Sequence, residues 1–174
     1  SAMHQSVERM RERITDEIFL ALGLSREGSL RQRFGHLFFR PTQQFAEMFA
    51  RADDAAGQGG LPDGSRVILS DLSVQVGAEG SNHIPADGPL GVVSNHPGAY
   101  DSVALASCIP RCDLKIIAYE TQFYPALPQI GQRMILAPAD PAGRMVALRQ
   151  ALQHLEEGGA ILQFGSGQIE PDPA

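Results

Sequence analysis

The chain reads as an α/β protein: a mixed, largely parallel central sheet flanked by helices, preceded by an N-terminal helical segment. Three observations predict this. Short apolar runs bounded by Gly, Pro and Asp alternate with helix-period segments after residue 65. The first 50 residues carry only helix-period patterning. The chain has 174 residues, 43% hydrophobic and 20% charged, which suits one domain with a real core.

Taken in order, Val7, Met10, Ile14, Ile18 and Leu22 recur at three- and four-residue steps and predict a helix, which Gly23 and Gly28 end. Ser29 is a plausible N-cap for a second helix carrying Leu30, Phe34, Leu37 and Phe38. Pro41 is expected to break or kink it, because proline lacks the amide donor and clashes with the preceding turn. Phe45, Met48 and Phe49 follow as a further turn set. Residues 53–64, rich in Gly, Asp and Pro, predict a linker, so the units are 1–56 (helical) and 65–174 (α/β).

Within the second unit, 66–70 and 73–77 read as neighbouring strands. Leu90–Ser94, 114–119, Met134–Ala137 and Ala160–Phe164 read as buried strands. Residues 100–108 predict a helix ended by Pro110. Asp140-Pro141 predicts another, with Asp as N-cap and Pro at the first position. Met145, Leu148, Leu152 and Leu155 supply its apolar stripe, and Gly158-Gly159 its stop.

Charge and cysteine content exclude several classes. The net charge of −6 argues against a nucleic-acid binder, which needs a basic face. Two cysteines, Cys108 and Cys112, make neither a disulfide scaffold nor a zinc site. No apolar run approaches the roughly 20 residues of a membrane span, and no signal-peptide pattern is present. The charge is unevenly spread. Residues 1–51 hold eight Arg against six acids, leaving +2; the rest holds six basic residues against fourteen acids, leaving −8. Five of the eight Phe fall between 34 and 49. This Phe/Arg segment, 29–51, either packs on the α/β unit or lies at a membrane interface, with aromatics at the acyl boundary and Arg at anionic headgroups.

Two strand ends carry candidate chemistry. After Leu90–Ser94 comes Asn95-His96-Pro97-Gly98-Ala99-Tyr100-Asp101. A tight turn can fold the Asp101 carboxylate onto one nitrogen of His96, fixing its tautomer so that the other acts as a base toward a substrate hydroxyl. On periodicity alone the plain reading is favoured, with Asn95 and Asp101 as turn and cap residues and His96 a bystander. After Ala160–Phe164 comes Gly165-Ser166-Gly167-Gln168, where small residues let backbone amides approach an anion or a developing oxyanion; an ordinary turn is the plain alternative.

Together and in this order, the two strand ends resemble the glycerolipid acyltransferase family, which includes the glycerol-3-phosphate and lysophosphatidate acyltransferases. Asn95-His96-x-x-x-x-Asp101 matches its first motif. In its third, Phe-Pro-Glu-Gly-Thr-Arg, Phe164 and Gly167 match, while Ser166 and Ile169 stand in place of Glu and Arg. Ala137 stands where the arginine of the second motif is expected, leaving Arg133 or Arg144 to replace it. The resemblance spans roughly 65–174.

It implies catalytic His96 and Asp101, and substrate contacts from Asn95, Arg133, Gly165, Ser166, Gly167 and Gln168. It also implies an acyl-CoA or acyl-carrier-protein co-substrate, a glycerol-type hydroxyl acceptor and no other cofactor or metal. The expected setting is the cytoplasm, peripheral at the inner membrane face. Because the family continues past its third motif, the domain is expected to be truncated at its C-terminus. A non-catalytic lipid- or acyl-binding module on the same fold is the rival expectation. An α/β-hydrolase lacks support, since no Gly-x-Ser-x-Gly elbow occurs.

Overall fold

The computed structural model describes residues 7, 8, 10–12, 39–95, 100–121 and 123–165. In chain order the elements are α1 (Phe39–Gly59), α2 (Leu61–Asp71), β1 (Leu90–Ser94), α3 (Asp101–Cys108) and β2 (Lys115–Tyr119). They continue with α4 (Pro128–Gly131), β3 (Met134–Ala137), α5 (Pro141–Glu156) and β4 (Ala160–Phe164). The strands form one sheet in the order β1-β4-β2-β3, and every pairing is parallel. The α/β expectation is therefore met, with no antiparallel pair among the described residues.

Side chains alternate across the sheet and define two cores. On the front face, Ala160, Leu162 and Phe164 of β4 and Ile116 of β2 pack with Ala46, Ala52 and Ala56 of α1, Ile68 of α2, Ala106 of α3 and Ile130 of α4. Met10, buried to 1% exposure, joins this core and ties the helical residues around it to the same body. On the back face, Ile135 and Ile161 pack against Ala147 and Ala151 of α5.

Two expectations are corrected at the N-terminal side. Residues 53–64 are not a linker, and 66–70 is not a strand. Both belong to a helical hairpin, α1 and α2, reversing at Gly60. Gly60 has φ +78°, and a Cβ there would lie 2.4 Å from the Cys112 carbonyl oxygen, so only glycine makes this corner. Gly64 lets the helices touch: a Cβ there would sit 2.7 Å from the Ala52 carbonyl oxygen. The β-branched run Val67-Ile68 suggested a strand, yet Leu61, Gly64, Ser65, Ile68 and Leu69 form one buried helical stripe. Burial against α1 outweighs the helix-propensity penalty of β-branched residues, about half a kcal/mol each. Residues 73–77 are likewise not a strand; they run as an irregular, largely exposed stretch after α2. Pro41 lies within α1, in its first described turn; the helix expected before it, over 29–38, lies outside the described residues.

The four strands, α3 and α5 fall where the sequence places them, whereas the sequence does not predict α4. Asp140 caps α5 by accepting the Gly143 amide at 2.8 Å, with Pro141 at the first helical position. The face of α5 is corrected, however. Met145, Leu148 and Leu152 are each about half exposed; of the expected stripe Leu155 packs on the back core, beside the small Ala147 and Ala151.

A buried arginine fastens the amino ends of three strands. Arg111, 3% exposed, donates Nε and Nη2 to the two carboxylate oxygens of Asp113 at 2.8 and 2.7 Å. It also donates to the carbonyls of Pro85, Gly88 and Gly158. Gly88 leads into β1, Asp113 into β2 and Gly158 into β4. His154 joins them: its Nε2 lies 2.7 Å from the Asp113 carbonyl, which can only accept, so this nitrogen carries the proton.

Candidate active site at the carboxyl ends of the strands

The register of β1 on β4 pairs Ser94 with Phe164, the last residues of each strand. One more bond continues the ladder: the Gly165 amide donates to the Ser94 carbonyl at 3.1 Å. The two strand ends singled out in the sequence, about 70 residues apart, thus lie side by side at one end of the sheet. This bond also corrects one role. The Gly165 amide is spent on Ser94, so it is not available to an oxyanion; Gly165 itself lines the crevice described below.

Asn95 leaves the end of β1 exposed, with the Ser94 hydroxyl donating to its backbone carbonyl at 2.9 Å. Asp101 is the first residue of α3 and is half-buried. A carboxylate suits that position, where helix amide groups lack intrahelical acceptors and the helix dipole is positive. His96, between them, lies outside the described residues, as do Ser166, Gly167 and Gln168.

Arg133 is not brought to this constellation. It precedes β3 and so stands at the amino end of the sheet, roughly 13 Å away at 3.3 Å per residue. There its Nη1 donates to the Gln129 carbonyl at 2.7 Å. Its neighbour is Asp53 of α1, whose Oδ1 accepts the Gln129 and Ile130 amides at 2.9 and 2.8 Å and caps α4. Burial pushes the Asp53 carboxyl above its usual range, against the opposing pull of those two amides and of Arg133. Both residues hold α1 and α4 together.

The carboxyl ends open onto a crevice of about 640 Å³. Its origin is topological. The connection leaving β2 turns to the front layer, where Leu127 and Ile130 enter the front core; the one leaving β3 turns to α5 on the back. Diverging connections leave a gap between the strand ends, the usual ligand position in open α/β sheets. Tyr119 of β2, Pro138 after β3 and Gly165 after β4 form its rim, joined by Ser102 of α3.

Thr121, Tyr124 and Arg144 add polar groups. Burial raises the Tyr124 phenol above its usual range, so it remains a hydrogen-bond donor at neutral pH. Arg144 is the one cation among the crevice's described lining, its Nη2 donating to the Ala139 carbonyl at 2.7 Å. Of the two arginines the sequence offers near β3, the geometry favours Arg144. The signal was present: a residue just after a strand reaches the ligand end of a parallel sheet, and a residue just before it does not.

The Phe/Arg segment is described only from residue 39. Phe49 of α1 packs edge-on against Phe123 with ring centroids 4.8 Å apart, whereas Phe45 is exposed. Among the described residues, no helix is long and apolar enough to cross a membrane, and no group of three His, Cys, Asp or Glu is placed to hold a metal.

Fold and site thus define a parallel α/β protein with a crevice at its strand ends. No family model, curated protein or solved structure matches the chain.

Proposed function

We propose that the protein is an acyltransferase that moves a fatty acyl group from acyl-CoA or acyl-carrier protein to a hydroxyl of a glycerolipid or related acceptor. The observation that supports this reading best is the Ser94–Phe164 register. It pairs the residue before Asn95 with the residue before Gly165, and Gly165 lines the crevice.

In this mechanism Asp101 orients His96, and His96 takes the proton from the acceptor hydroxyl. The acceptor oxygen adds to the thioester carbonyl, forming a C–O bond and an oxyanion. The carbonyl re-forms as the C–S bond breaks, and the proton on His96 passes to the departing thiolate. A positioned base of this kind contributes about 10²–10⁴-fold.

The test is release of free thiol from acyl-CoA with glycerol-type acceptors present, with and without a phosphate group. His96→Ala and Asp101→Asn serve as the variants. The expected result is acceptor-dependent release that falls at least about 100-fold in His96→Ala. Equal turnover in that variant refutes the mechanism.

A second reading, a non-catalytic acyl-binding module, is favoured by two features. The Gly165 amide is occupied, and Ser166 and Ile169 replace the third-motif Glu and Arg. Binding of acyl-CoA without any turnover would establish that module instead.

A further inference from the structure

The back layer of the sheet is incomplete at β1. There α5 packs on Ile117, Ile135, Ala137 and Ile161, which belong to β2, β3 and β4. Leu90 and Val92 of β1 join the front core, so by alternation Val93 points to the back, where it is 73% exposed. Parallel sheets are ordinarily covered on both faces.

An apolar seam on α5 looks toward that bare end. Ala147, Ala151 and Leu155 face the sheet. Next around the helix come Met145, Leu148 and Leu152, spaced three and four apart like heptad a and d positions and each about half exposed. On the opposite flank Gln150, Gln153 and Glu157 line a cleft with Gln132 and Met134 at the β3 edge, so the seam lies on the β1 side. Beyond the seam stand Arg149 and Glu156, seven residues apart and both exposed.

We infer that this seam joins two copies of the chain through an antiparallel pair of α5 helices. The charges select both the occupant and its direction. About a two-fold axis near Leu152, the Leu152 side chain of each copy packs between Leu148 and Leu155 of the other. Arg149 of each copy then meets Glu156 of the other, which gives two reciprocal ion pairs from one sequence. A parallel pair sets Arg144 against Arg149 on both sides and is repelled. The two-fold also brings the two bare β1 ends side by side beneath the helix pair. Contact along one 16-residue helix falls near or below about 1,200 Å², the range of weak association, so the dimer forms at micromolar concentration. The inference is independent of the acyltransferase reading.

The test is sedimentation velocity of the full chain across the micromolar range. The expected result is a concentration-dependent shift from monomer to dimer, which Leu152→Glu abolishes. Arg149→Glu sets like charges against Glu156 and weakens association about tenfold, and Glu156→Arg does the same. The double variant Arg149→Glu/Glu156→Arg restores the wild-type constant. Loss of folding cannot mimic that restoration.

A chain that stays monomeric throughout the range overturns the inference, as does a dimer that Leu152→Glu leaves intact. A single charge reversal that tightens association marks a parallel pair and overturns the antiparallel one. A double variant no tighter than the single ones does the same.

Discussion

Replacing Arg111 by Met should cost about 3–5 kcal/mol, the usual penalty for breaking a buried charge pair by removing one partner. The magnitude follows from what the guanidinium holds. Its side chain is 3% exposed and donates to three carbonyls and to both oxygens of Asp113. Methionine preserves the stem's packing but leaves the Pro85, Gly88 and Gly158 carbonyls short of a donor, at about 1–3 kcal/mol each where water cannot reach. Asp113 is 37% exposed and regains solvent, which keeps the total at the lower end of a simple sum.

The assay is urea denaturation near pH 7, followed by far-UV circular dichroism. A loss below about 1 kcal/mol would refute the view of Arg111 as a clasp. The pH profile gives a second check. The Arg111 hydrogen bond is the main cause holding the Asp113 carboxyl below its usual range. Its contribution is therefore fully present above the ordinary carboxylate value and is lost as pH falls through the lowered one. The gap between wild type and Arg111→Met should narrow below about pH 4. Since Arg111 ties the starts of β1 and β4, the same variant should also loosen the register that pairs Ser94 with Phe164.

Two further outcomes are expected. Asp53→Asn keeps an oxygen for the Gln129 and Ile130 amides and removes a buried charge; because burial raises the Asp53 carboxyl, wild-type stability falls as pH rises from the ordinary carboxylate value through the raised one, and the variant should lack that decline in a urea titration across pH. Arg144→Ala should weaken binding of an anionic substrate by about 10-fold or more, measured as KM or Kd, whereas Arg133→Ala should lower the melting temperature and leave that affinity unchanged; equal effects on affinity would refute the assignment of Arg144 to the crevice.

The elements legible in the sequence share one property: their signals are local. Each described strand is a short apolar run bounded by turn residues, and α5 carries both its cap and its proline within two positions. The misread elements depend on a neighbour. Val67-Ile68 is β-branched, and only α1, approached through Gly64, makes it helical. In α5 the large apolar side chains drew attention, but a helix lying close on a sheet uses its small residues, Ala147 and Ala151. Arg111 carried no signal at all, because three of its acceptors are carbonyls from segments far apart in the chain.

For the site, the chain alone singled out candidate residues around two strand ends: Asn95 and Gly165 directly follow β1 and β4, and Asp101 opens α3. Tertiary structure decided what those ends share. A parallel sheet orders its strands by burial rather than by sequence, so β4 inserts between β1 and β2 and sets Phe164 against Ser94. The same ordering sends Arg133 to the far end, brings Arg144 to the crevice and spends the Gly165 amide on a backbone bond. Periodicity specifies an element and its faces. Which elements become neighbours, and which donors remain for a ligand, depends on long-range packing that no local pattern encodes.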